Sequence, residues 1–153
     1  MIYILDHYYF YENKKCCLVI KSDKSIEEII EICASIEFLF DDIMDEGACL
    51  DFECLLKILT RYYGMKDIKE VFSDNLSRIH LPTGTLAENV GNFSYYDEDN
   101  NNTVTSATVV IDMYEARESQ CGPNYRSIME KWLPKGKELE DIKTLLVAEG
   151  KEI

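Results

Sequence analysis

Apolar positions along this chain change period several times, and each change predicts an element. Ile2 to Tyr11 is rich in Ile, Tyr and Phe, and Cys16 to Ile20 is a second β-favouring run. The polar Glu12-Asn13-Lys14-Lys15 between them can turn, so the two runs predict a β-hairpin, although the strong Asn-Gly signal is missing. Ser25 then opens a helix, because Ser25-Ile26-Glu27-Glu28 fits a capping box. At about 100° per residue, Ile29, Ile32, Cys33, Ile36, Leu39, Phe40 and Ile43 fall on one half of a cylinder. Glu27, Glu31, Asp41, Asp42 and Asp45 fall on the other half, which predicts an amphipathic helix over 26–46, stopped by Gly47.

Leu50 to Tyr63 reads as a second helix, with Asp51 as N-cap, Phe52, Leu55, Leu56, Ile58 and Leu59 as its apolar side and Gly64 at its C-terminus. Lys66 to Phe72 predicts a short third helix, and Arg78 to Leu81 a short strand ended by Pro82-Thr83-Gly84. Asn92 to Tyr96 and the β-branched run from Val104 to Tyr114 predict two strands joined by the polar residues 97–102. Pro123 suits a first helical residue, so a helix follows to Leu133, and a last one runs from Glu138 to Glu149, closed by Gly150. There is no internal repeat, Gly/Ser linker or compositional seam, which suggests a single domain over 1–153. The expected class is α+β: an antiparallel sheet built from the N-terminal and central hairpins, with about four to five helices packed on it.

Composition supports a folded chain. Of 153 residues, 46% are hydrophobic, and the ten Tyr and six Phe separate it from acidic disordered chains, which are poor in aromatics. No apolar run approaches the ~20 residues of a membrane span, and no basic region precedes an apolar one at Met1, so a cytoplasmic location is expected. The six Cys read as free thiols of a reducing compartment, Cys33 being packed as a small hydrophobe on the helix's apolar face. Zinc is not expected, since there is no C-x-x-C pair and only His7 and His80 could assist.

Charge then singles out one stretch. Ser25 to Leu56 holds ten carboxylates and no Lys, Arg or His, and so supplies −10 of the formal net charge of −13. Glu27/Glu31, Glu37/Asp41, Asp41/Asp45 and Asp42/Glu46 are like-charge i,i+4 pairs, each unfavourable by ~0.2–0.5 kcal/mol. Asp41, Asp42, Asp45 and Glu46 also crowd the negative end of the helix dipole, where cations are favoured. A helix selected only to cover a core would mix Lys into that face, so the inconsistency points to a function outside folding. Phe38 falls near the middle of the carboxylate face, and an aromatic ringed by charge is the usual make-up of an interface anchor. The competing reading is a solvated face, or one paired internally with Lys57, Arg61, Lys66 and Lys69, with Phe38 covered by another part of the chain.

Other patterns are weaker. Asp97, Asp99, Asn101 and Thr103 start like a calcium loop, but Asn102 stands where Gly is needed and Thr108 where a bidentate Glu is needed, so a polar hairpin loop fits better. Cys121 precedes a Pro-initiated helix whose N–H groups would lower a thiol pKa, yet no base accompanies it in a recognisable motif. Leu81-Pro82-Thr83-Gly84 and Lys135-Gly136-Lys137 lack the contexts that would make them signals. No basic stripe exists to neutralise phosphates, which disfavours direct nucleic-acid binding.

The expectation is therefore a non-enzymatic inhibitor without metal or cofactor. It would dock Glu27, Glu31, Phe38, Asp41, Asp42, Asp45 and Glu46 on a basic protein partner, a nuclease or nucleic-acid-binding effector. A toxin-immunity protein and a phage anti-defence inhibitor such as an anti-CRISPR both fit that description. The alternatives are a small-molecule-binding or enzymatic α+β domain with a pocket between sheet and helices, and a component of a larger assembly.

Overall fold

A computed structural model of the chain describes residues 1–6, 18–44, 50, 52–68, 71–72 and 87–150. The chain divides into two compact units, one of Met1–Asp23 and Met65–Glu115, the other of Lys24–Gly64 and Ala116–Ile153.

The first unit carries the sheet: β1 (Ile2–Asp6), β2 (Leu18–Lys21), β3 (Lys66–Asp67), β4 (Val71–Phe72), β5 (Ala87–Asp97) and β6 (Asn102–Asp112), in the order β3-β2-β1-β6-β5-β4. β1 pairs antiparallel with β2, and β5 with β6, at the two hairpin positions expected. The sheet is nevertheless mixed rather than antiparallel throughout, because β1 and β6 are joined in parallel register, Ile2 opposite Thr108 and Ile4 opposite Val110. The expected helix over 66–72 is also replaced by strands. Ile68, Val71 and Phe72 have helical spacing, but Lys66 and Asp67 pair with β2 while Val71 and Phe72 pair with β5. Tertiary pairing here overrides a short local preference.

These two corrections have one geometric cause. β3 and β4 lie on opposite edges of the sheet. Only residues 68–70 separate them, so those edges are at most about 15 Å apart. In a flat sheet of that order the edges would lie about 24 Å apart. The sheet must therefore curl until its edges face each other, with 66–72 acting as one interrupted strand. That makes five successive antiparallel runs, and the first and fifth of an odd series point the same way, so their seam is parallel. Contacts across the curl agree: Ile2, Ile68 and Tyr95 form one buried cluster, flanked by Val19 and Val104. Tyr3 and Leu5, on the other face of β1, are buried as well, as expected of a strand with a parallel neighbour.

The four longer helices among the described residues belong to the second unit. They are α1 (Ile26–Ile43), α2 (Phe52–Tyr62), α4 (Tyr125–Trp132) and α5 (Lys137–Gly150). The chain reaches α4 from β6 through the one-turn α3 (Met113–Ala116), a π-helical turn (Arg117–Cys121) and a 3-10 turn (Gly122–Asn124). The predicted capping box is present: Ser25 Oγ accepts from the Glu28 N–H at 3.2 Å, and the Ser25 N–H donates to Glu28 Oε1 at 3.1 Å. Ile29, Ile32, Cys33, Ile36, Leu39 and Phe40 are buried as the periodicity requires, and so are Ile30, Ala34 and Ser35. The buried arc is wider than half a cylinder because α2, α4, α5 and the π-helical turn all pack on α1. Ser35 is accommodated by placing its hydroxyl 2.7 Å from the Glu31 carbonyl and 3.1 Å from that of Ile128. α1 ends at Ile43, where the Met44 N–H bonds the Phe40 carbonyl at 3.0 Å; Gly47, the expected stop, lies outside the described residues. Gly64 follows α2 at φ +66°, a left-handed conformation that closes a helix without the strain a Cβ would add.

Candidate functional site

The carboxylate face of α1 separates into two parts. Its middle is satisfied within the helical unit. Glu31 Oε1 accepts from Trp132 Nε1 at 3.0 Å and from Lys131 Nζ at 3.2 Å, and its side chain keeps 17% of its surface accessible. Lys131 and Lys24 both lie over the Trp132 ring, at 5.1 and 5.7 Å from its centre. Glu37 faces Arg117 of the π-helical turn, Oε2 to a terminal guanidinium nitrogen at 3.6 Å. Burial pushes the Glu37 carboxyl up to about 7, against the pull of Arg117, and Asp41 adds to the rise.

Phe38 is half-buried rather than held in water. Its ring meets Tyr125 of α4 at 5.5 Å between centroids, tilted by 57°, and the Arg117 guanidinium lies over it at 5.7 Å. Arg126 lies over Tyr125 at 5.1 Å, so a cation–aromatic–aromatic–cation series runs from Arg117 to Arg126 across α1 and α4.

The ends of α1 differ from its middle. Glu27, Asp41 and Asp42 are exposed. Neither the last turn of α1 nor any other part of that helix contains Lys or Arg, so its C-terminal end keeps the unfavourable charge arrangement predicted for it. Partial desolvation raises the Asp41 carboxyl, Arg117 opposes that shift, and Asp42 reinforces it. Asp45 and Glu46 lie outside the described residues. Of the predicted set, Glu27, Asp41 and Asp42 thus stand at the surface, while Glu31 and Phe38 are tied into the helical packing.

Among the described residues, the cations that do the tying are not the Lys57, Arg61 and Lys66 that the sequence offered; Lys69 lies outside the described residues. Lys57 and Arg61 are exposed, and Lys66 bonds Asp97 at 2.8 Å and Asp99 at 3.0 Å in the other unit. Arg117 and Lys131, with Trp132 and Tyr125, take that role from 80 to 101 residues away in sequence. No local spacing announces such a partner. The one usable hint was compositional: Tyr125, Arg126, Lys131 and Trp132 concentrate aromatic and basic side chains in a single short helix.

Two further candidates read from the sequence, the 97–102 loop and Cys121, fall on described residues, and Leu81-Pro82-Thr83-Gly84 lies outside them. Residues 97–102 form a hairpin turn, in which Asp97 accepts from Lys66, from Asn100 Nδ2 at 2.8 Å and from the Asp99 N–H at 3.1 Å. Asn101 adopts the left-handed φ of 53° that such a turn asks for. Among the described residues no group of three or more His, Cys, Asp or Glu is placed to hold a metal ion. Cys121 is fully buried, and burial with the nearby Glu31 and Glu37 pushes its thiol up to about 11, the reverse of the activation a helix N-terminus would give. Among the described residues no helix is long and apolar enough to cross a membrane.

Fold and face together define an α+β protein with a curled mixed sheet, a separate helical unit and a surface acidic at both ends of one long helix. Comparison with protein-family models, with curated proteins and with solved structures finds no match to this chain.

Proposed function

We propose that the protein is a non-enzymatic inhibitor that docks the exposed acids of α1 on a basic surface of a nucleic-acid-processing protein, as an anti-defence or immunity protein does. One observation carries this reading. The fold brings Lys131 onto Glu31 and Arg117 beside Glu37 from the C-terminal elements, yet Asp41 and Asp42 stay at the surface, at the helix end that disfavours them. Charges retained against local stability are best explained by a partner that supplies the missing cations. The half-exposed Phe38 and Tyr125 supply the aromatic component usual at the centre of such interfaces.

The test starts from affinity capture in the native host, followed by purification of the captured protein. The reading requires a basic partner that is displaced both by raised salt and by a short DNA or RNA oligonucleotide. A partner indifferent to both would rule out phosphate-like docking.

A further inference from the structure

α4 runs antiparallel to α1, with Trp132 beside Glu31, Ile128 beside Ser35 and Tyr125 beside Phe38. The N-terminal end of α4 therefore lies at the acidic C-terminal end of α1, and the two helices present one patch of mixed sign. Asp41 and Asp42 are exposed one turn beyond Phe38. Arg126 is exposed beyond Tyr125, its guanidinium 5.1 Å from the ring centre. The two rings are 5.5 Å apart and the helical turn adds about 5–6 Å, so Arg126 lies within roughly 15–20 Å of both acids. A protein–protein footprint of about 800 Å² per partner spans that distance. A partner that covers the acids also meets Arg126.

Arg126 is the cation that this patch leaves open. Arg117 is engaged by Glu37 and Glu118, and Lys131 by Glu31, whereas among the described residues no carboxylate pairs with Arg126. A groove lined only with bases would repel its guanidinium, and like charges juxtaposed across an interface weaken it strongly. A second copy of this chain fits poorly, since a formal charge of −13 on each copy opposes self-association. The patch calls for a groove that is basic where it meets Asp41 and Asp42 and acidic where it meets Arg126. Enzymes that process phosphodiesters with divalent metal ions are built that way: bases hold the phosphates, and carboxylates beside them hold the metal.

We propose that the partner is a metal-dependent phosphodiester enzyme, docked so that Asp41 and Asp42 occupy its phosphate-binding groove and Arg126 its metal-binding carboxylates. This inference rests on the docking reading and adds the chemistry of the groove. The test measures the dissociation constant of the captured, purified partner in EDTA and in Mg2+ at equal ionic strength. Arg126 is exposed, so Arg126→Gln leaves the packing of α4 untouched. In EDTA that variant should bind at least tenfold more weakly than wild type. Mg2+ should weaken the wild-type complex by a similar factor, because the metal takes the same carboxylates, and should leave the Arg126→Gln complex unchanged. Mg2+ that screened Asp41 and Asp42 instead would weaken both complexes alike. That result, no response to Mg2+ in either protein, or an Arg126→Gln affinity within twofold of wild type in EDTA would overturn the proposal and leave docking through the acids standing. The docking reading fails separately, and the proposal with it, if Asp41→Lys/Asp42→Lys binds as wild type does. Self-association of the chain alone in sedimentation, abolished by Arg126→Gln, would make a second copy the occupant and overturn the assignment.

Discussion

Glu31 and Glu37 occupy the same helix as Asp41 and Asp42, and the fold treats the two pairs differently. Glu31 accepts two hydrogen bonds, one from the only Trp of the chain. Trp132→Phe keeps the ring packing and removes the indole donor from a largely enclosed carboxylate, so it should destabilise the protein by about 1–2 kcal/mol in denaturant unfolding. Asp97 illustrates the opposite pH behaviour to Glu37. Its hydrogen bonds from Lys66 and Asn100 hold it down to about 2, below its ordinary 3.8. The folded state therefore binds fewer protons than the unfolded one between those values. The contribution is fully present above about pH 4 and lost as pH falls toward 2. Asp97→Asn should flatten that part of the stability–pH curve measured by thermal unfolding. Cys121, enclosed and held up to about 11, should resist iodoacetamide at pH 8 in the native protein and react once the chain is unfolded.

At the scale of elements, α1 was readable because several independent patterns agreed: a capping box, an apolar arc at helical spacing and a polar remainder. The hairpins were readable from β-branched and aromatic runs, though β5 starts at Ala87 rather than Asn92, and β6 starts at Asn102 rather than Val104 and stops at Asp112, where α3 takes Met113 and Tyr114. Residues 66–72 were misread for a physical reason: seven residues are too few for periodicity to compete with pairing at two sheet edges. The parallel seam was illegible for a related one, since it joins strands about 100 residues apart and depends on the curl of the whole sheet. The same separation hid Arg117 and Trp132 from any reading of α1 alone. Phe38 shows the consequence. Because it packs on Tyr125 and under Arg117, Phe38→Ala should lower stability by about 1–3 kcal/mol, less than a fully buried Phe would, quite apart from any effect on binding. Unfolding and binding measurements on the same variant separate the two effects.

Taken as a whole molecule, the protein is strongly acidic without being uniformly so. Its formal charge is −13, and the window from Ser25 to Leu56 carries ten carboxylates with no base, while Arg117 and Lys131 come from outside that window to its inner part. The exposed remainder at Asp41 and Asp42 opposes the helix dipole, so Asp42→Lys should raise stability by about 0.3–1 kcal/mol. A stabilising change that damages function would be the signature of charges kept for a partner. The decisive measurement is the dissociation constant of the captured partner for the wild-type protein and for the Asp41→Lys/Asp42→Lys variant, with folding of the variant verified by circular dichroism. Docking through the acidic end of α1 predicts at least a hundredfold loss of affinity at physiological salt. An affinity within twofold of wild type would contradict it.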